Sequence, residues 1–204
     1  MGSNPTSSAM STKYILVGGY PKKALDGGKA FTEELIKGFK EPVKILECLF
    51  ARPRDNWDEA FNQDKDFFIN NLPGKRLEFQ LADPEKFREQ VAWADAIYIR
   101  GGASEAVLLE LQKQSEGWEK ELPGKTLAGS SAGAHAISKY YYGLDDLKIG
   151  EGLGLLSLKI IVHYGSDYNA PNIDWNKAEI ELKQYKEDLP LIKLAEGQFK
   201  TEVR

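Results

Sequence analysis

At 204 residues, with 42% apolar and 28% charged side chains, the chain has the make-up of one soluble globular domain with a sizeable core. A formal net charge of −4, without any Lys/Arg cluster interleaved with aromatics, argues against a nucleic-acid partner. No apolar stretch approaches the ~20 residues needed to cross a bilayer, so no membrane role is expected. The one cysteine, Cys48, cannot pair internally and lies in an apolar run, as a buried inert thiol would; the expected compartment is the cytoplasm.

Met1 to Thr12 is polar and serine-rich with no hydrophobic signal core, and is set aside as a disordered tail or an expression-derived remnant. The chain then alternates in character. Tyr14 to Val17 is a continuous apolar run closed by Gly18-Gly19, the mark of a strand buried on both faces. Phe31 to Phe39 has helical spacing, Val43 to Phe50 reads as a strand, and Trp57, Ala60, Phe61, Phe67 and Phe68 mark a helix over about Asp55 to Asn71. Leu77 to Leu81 alternates as a third strand. Asp83-Pro84-Glu85 has the pattern of a helix start, with the helix running to about Ala94. Ala96 to Ile99 is a fourth strand closed by Gly101-Gly102, and Ser104 caps a helix carrying Val107, Leu108 and Leu111. Lys125 to Ala128 is a further strand, Ala132 to Tyr142 continues as a helix, Leu158 to Tyr164 is a strand, Ala178 to Tyr185 a helix, and Leu191 to Ala195 a last strand. Repeated β-then-α segments joined by short turns predict an α/β fold: a mostly parallel sheet covered by helices on both faces, in three layers.

Between the strand ending at Ala128 and its helix stands Gly129-Ser130-Ser131-Ala132-Gly133, a G-x-S-x-G run in the strand–turn–helix setting of a nucleophile elbow. The turn pushes Ser131 out of the sheet. The N–H of Ala132 then falls at a helix N-terminus, where it can stabilise developing negative charge. Ligands of open parallel sheets sit outside the carboxyl ends of the strands. Gly101-Gly102, Ser131 and His163 all fall on that edge, and Ser131 and His163 are expected to meet across adjacent strand tips. A serine needs a neighbouring base to take its proton, and the chain has two histidines. His135 lies one helical turn past Ser131 and reaches back with difficulty, so the base is assigned to His163 and a place in the substrate pocket to His135. The acceptor that would fix the base's tautomer stays open between Asp145 or Asp146, after the elbow helix, and Glu196, after the last strand; the carboxyl-edge position slightly favours Glu196.

Other signals lead nowhere. Gly27-Gly28-Lys29 lacks the remainder of a phosphate loop, and Gly18-Gly19-Tyr20 lacks dinucleotide spacing. Two histidines and one cysteine far apart predict no metal site. No cofactor is expected.

In these stretches the chain resembles the peptidase E (aspartyl dipeptidase) and cyanophycinase family of serine peptidases, whose fold is related to class I glutamine amidotransferases. The resemblance rests on Ile97 to Gly102, Gly129 to Ala134, Gly152 to Leu156 leading to His163, and Leu194 to Gly197, in the family's order. It implies a single such domain over residues 13 to 204, acting on small peptides as a monomer or homodimer through an acyl-enzyme. Ser131 corresponds to the nucleophile, His163 to the base, Gly102 and Ala132 to the oxyanion hole, and Glu196 to the third member. Asp146 (or Asp145) corresponds to an acidic residue essential in the family, and Gly101 to the substrate-binding edge. The family's substrate-binding arginine has no counterpart between Asp167 and Asp188, which implies a peptidase not strictly specific for aspartate. Ala103 also stands where the family usually has a polar residue. An α/β-hydrolase-type esterase or amidase, or a catalytically silent binding domain, are the alternatives; Asp145 or Asp146 before His163 satisfies the serine–acid–histidine order of the former.

Overall fold

The computed structural model describes residues 11–113, 117–169 and 171–204. In chain order the elements are β1 (Lys13–Val17), α1 (Lys29–Ile36), β2 (Val43–Cys48), α2 (Trp57–Asn71), β3 (Leu77–Leu81), α3 (Phe87–Trp93), β4 (Ala96–Ile99), α4 (Ser104–Lys113), β5 (Thr126–Ser130), α5 (Ala132–Ile137), β6 (Tyr140–Gly143), β7 (Lys148–Glu151), β8 (Lys159–Ile161), α6 (Trp175–Gln184), β9 (Leu191–Lys193) and β10 (Phe199–Val203). A six-stranded sheet runs β10-β1-β5-β4-β2-β3, parallel except for β10 at its edge.

The continuous apolar runs form parallel strands because both faces of this sheet are covered. Alternate residues serve the two sides. Leu16, Leu46, Ile97, Ile99 and Leu127 pack with side chains from α3, α4 and α5. Ile15, Val17, Ile45, Tyr98 and Ala128 pack with Phe31 and Leu35 of α1 and Phe67 and Phe68 of α2. Each fully buried Leu, Ile or Phe contributes about 1.5–3 kcal/mol, so these two layers hold the strand ends, and whatever they carry, in place.

Three parts of the sequence reading are corrected. The helix expected over Ala132 to Tyr142 stops at Ile137, and Tyr140–Gly143 is instead β6. Ser138 turns to extended backbone, and its hydroxyl donates to the carbonyl of His135 at 2.9 Å. Beyond it the tyrosines follow a period of two: Tyr140 and Tyr142 pack towards α6, while Tyr141 faces the main core. Second, β8 does not extend the main sheet. It belongs to a four-stranded sheet, β7-β6-β8-β9, so His163 and Ser131 do not come from adjacent strands of one sheet. Third, residues 1–10 of the expected tail lie outside the described residues, but Ser11 and Thr12 belong to the fold. Thr12 N–H donates to the Arg204 carbonyl at 2.7 Å, extending the β1–β10 pairing, and the Ser11 carbonyl accepts from Gly124 N–H at 3.0 Å.

Candidate active site

β5 carries the chain to the carboxyl edge of the main sheet and ends at Ser130. Ser131 follows with φ 52° and ψ −112°, and α5 begins at once. A positive φ in a residue with a Cβ costs about 1–3 kcal/mol and persists only where the surroundings dictate it. Here Ser131 N–H donates to the Val17 carbonyl of β1 at 3.0 Å, and the Ser131 carbonyl accepts from His135 N–H at 3.0 Å. The flanking positions admit no side chain: a Cβ on Gly129 would lie 2.3 Å from the Gly133 carbonyl oxygen, and one on Gly133 would lie 2.2 Å from that of Ile99. The Gly/Ser/Ala composition of the elbow is therefore a steric requirement of the turn.

His163 leaves β8 with φ 51°, its N–H donating to the Gly18 carbonyl at 2.7 Å. That bond carries the ring from the second sheet to the tip of β1. Its Nε2 lies 3.0 Å from Ser131 Oγ, and its Nδ1 lies 2.9 Å from Glu196 Oε1. Tyr168 stacks on the ring at 4.4 Å between centroids and Tyr20 meets it edge-on at 5.4 Å. The ring also rests on Gly19, where a Cβ would fall 2.2 Å from His163 Cε1. The imidazole is thus held on every side and is 4% exposed. Burial lowers its basicity and outweighs the opposing pull of Glu196, so the ring is an unprotonated acceptor down to lower pH than a free histidine. Burial by itself would raise the Glu196 pKa; the Lys23 ammonium on its other oxygen, together with His163, brings it below the usual value.

The N–H groups of Gly102 and Ala132 have no acceptor among the described residues. The loop bearing Gly102 is held by Ala103 N–H donating to the Ala51 carbonyl at 2.9 Å and by Arg52 Nε donating to the Gly101 carbonyl at 2.7 Å. Gly101 packs directly beside Ser131. Two cavities, about 430 Å³ and about 400 Å³, open on either side and share Ser131, His163 and Gly102 in their walls. The first includes Glu105, His135, Tyr141, Asp145 and Asp146. The second includes Tyr20, Lys22, Arg52, Asp64, Phe67 and Arg100.

Of the carboxylates left open by the sequence, Glu196 makes the contact with His163. Asp145 Oδ1 accepts from the Tyr168 hydroxyl at 2.7 Å, so it meets the ring only through that tyrosine. Asp146 Oδ1 accepts from Lys148 N–H at 3.3 Å in the turn before β7 and lines the first cavity. Ser104, read as a helix cap, instead places its hydroxyl 2.9 Å from His135 Nδ1. Sequence reasoning missed Lys23, Tyr20 and Arg52, brought in by loops distant in sequence, and Tyr168, in the loop that follows His163. It also missed Glu47, fully buried next to Asp64, whose pKa is pushed up to about 11 by burial and by that neighbouring carboxyl group.

His135 stacks on Tyr141 with centroids 4.1 Å apart, and its Nε2 has no hydrogen-bond partner among the described residues. Burial pushes its pKa down to about 3. The folded state therefore excludes a proton that the unfolded chain binds below about pH 6.5. Stability from this group is fully present above that pH and is lost as the pH falls towards 3. At pH 5 the loss amounts to about 2 kcal/mol. Urea unfolding at pH 7 and pH 5 should show the His135→Gln variant losing about 2 kcal/mol less than the parent over that interval; equal losses would contradict the assignment.

The sheet is of the class I glutamine amidotransferase-like type, and its carboxyl edge carries a serine at a strained turn beside a buried imidazole and a carboxylate. Residues 59–199 match peptidase family S51, and the chain belongs to that family of peptidases. No curated protein gives a match. Among solved structures, a protein from Listeria monocytogenes EGD-e with a provisional peptidase E designation aligns with TM-score 0.67 at 14% identity, covering 95% of this chain and 98% of its own. A peptidase from an acI-B1 actinobacterium aligns with TM-score 0.63 at 25% identity, covering 95% and 84% respectively.

Proposed function

We propose that the protein is a cytoplasmic serine peptidase of the peptidase E type that hydrolyses short peptides through an acyl-enzyme. The observation that carries the reading is the unbroken chain from Ser131 Oγ to His163 Nε2 at 3.0 Å and from His163 Nδ1 to Glu196 at 2.9 Å. Ser131 Oγ attacks the scissile carbonyl carbon as its proton passes to Nε2. The oxyanion that forms is held by the Gly102 and Ala132 N–H groups, each worth roughly 3 kcal/mol in the transition state. The imidazolium then protonates the leaving nitrogen, the C–N bond breaks, and water activated by the same ring hydrolyses the ester.

The cavities suggest the substrate's polarity. Glu105 and Asp146 face a single cation, Lys148, in the first cavity, whereas Lys22, Arg52 and Arg100, the last paired with Asp64, line the second, and Asp145 borders both. This favours a short peptide bearing opposite charges at its two ends, lying across Ser131, and does not demand an aspartate. A fluorophosphonate probe should label Ser131, and the labelled protein should lose hydrolysis of a dipeptide library. Labelling with turnover of p-nitrophenyl esters alone would instead indicate an esterase, and absence of labelling a silent binding domain.

A further inference from the structure

The loops after β1 and β9 are joined to one another beside the site. Gly18 N–H donates to the Gln198 carbonyl at 2.9 Å, and Gly197 N–H donates to the Gly19 carbonyl at 2.8 Å. Glu196 immediately precedes the two residues that make those bonds. From the facing 3-10 turn, Pro21–Lys23, the Lys23 ammonium reaches Glu196 Oε2. The same ammonium sits 4.8 Å from the centre of the Tyr20 ring, which is itself edge-on to His163. One carboxylate therefore has a cation on one oxygen and an imidazole on the other.

A bare carboxylate beside a buried imidazole does two things at once. It orients the ring by accepting from Nδ1–H, and it favours the protonated ring, which is useless as a base. A cation on the far oxygen leaves the first effect and offsets part of the second. Lys23 is 54% exposed and Glu196 only 9%, so solvent weakens the cation's field without removing it.

We propose that Lys23 is a positioning residue: by holding Oε2 of Glu196 it fixes the carboxylate that orients His163 and tempers that carboxylate's pull on the ring proton. The role in catalysis rests on the Ser131–His163 reading above; the effect on the ring does not. The other groups facing His163 are Asp145 and Tyr168 on one side, Tyr20 and Ser131 on the other, and His135 more distantly. Of these, Asp145 raises the basicity of His163, whereas Lys23 lowers it.

The chain has two histidines, and burial pushes the pKa of His135 down to about 3, so an imidazole signal that moves at higher pH in a proton NMR titration belongs to His163. Replacing Lys23 by Met, and independently by Gln, should move its midpoint upwards by roughly half a pH unit, and the acid limb of kcat/KM with it, a loss of about threefold on the acid side. Lys23→Arg should restore the parent midpoint. A midpoint that stays put or falls in both neutral variants, or an arginine variant shifted as far as they are, overturns the proposal. Because the NMR midpoint needs no turnover, it tests the effect of Lys23 on the ring independently of the proposed Ser131–His163 mechanism.

Discussion

Ser131→Ala is expected to lower kcat/KM for short peptides by at least about 10⁴-fold while leaving the fold in place. Among the described residues the hydroxyl's one hydrogen bond is to His163 Nε2, so its loss removes no support from the elbow. The backbone bonds to Val17 and His135 that set the turn remain, and alanine at φ 52° is no more strained than serine. Unfolding free energy should therefore change by no more than about 1 kcal/mol. Residual hydrolysis over the water rate should survive, because the Gly102 and Ala132 donors still meet the developing oxyanion. His163→Ala should cost a similar factor, and the double variant little more than either alone, since nucleophile and base act as a unit. Active-site titration on the purified protein guards against traces of parent enzyme. A Ser131→Ala protein retaining activity within tenfold of the parent would falsify the mechanism.

What could be read in advance follows from how local each constraint is. Tyr14–Val17 and Ala96–Ile99 were legible as strands because a parallel sheet covered on both faces demands unbroken apolar runs. The elbow was legible because the clashes at Gly129 and Gly133 leave few residue types that fit. β6 was not: Tyr140 to Tyr142 follow closely on an apolar helical segment, and it is pairing with β7 and β8, together with packing against α6 and His135, that makes them extended. β7 and β10 were hidden for a different reason, being partly exposed edge strands with little apolar pattern. Glu196 was favoured as the partner of His163 only by its place at the carboxyl edge and by the resemblance; the contact itself depends on the Glu196 turn being tied to the loop after β1, a relation between residues 18–19 and 197–198 that no local pattern expresses. Lys23 enters through that same long-range contact.

Glu196→Gln is expected to lower kcat by about 10²- to 10⁴-fold with little change in KM. Glutamine keeps the shape of the side chain, but its amide can turn its NH₂ towards Nδ1 and favour the ring tautomer that cannot accept from Ser131. It also gives up the Lys23 ion pair. Removing the carboxylate takes away the chief influence raising the basicity of His163, so the acid limb of whatever activity remains should move to lower pH. That is opposite in sign to the shift expected on replacing Lys23, although the two residues are partners. Asp146→Asn makes the contrast. Its Oδ1 accepts from Lys148 N–H, an interaction asparagine can retain, and it lines the first cavity rather than touching His163. Its replacement should raise KM several-fold through the loss of a substrate-facing charge and leave kcat within roughly threefold. Steady-state kinetics on the two variants across pH 5 to 9 decide the matter: a collapse of kcat in Asp146→Asn with an active Glu196→Gln would transfer the orienting role from the β9–β10 turn to the segment after β6, against the 2.9 Å contact on which it has been placed.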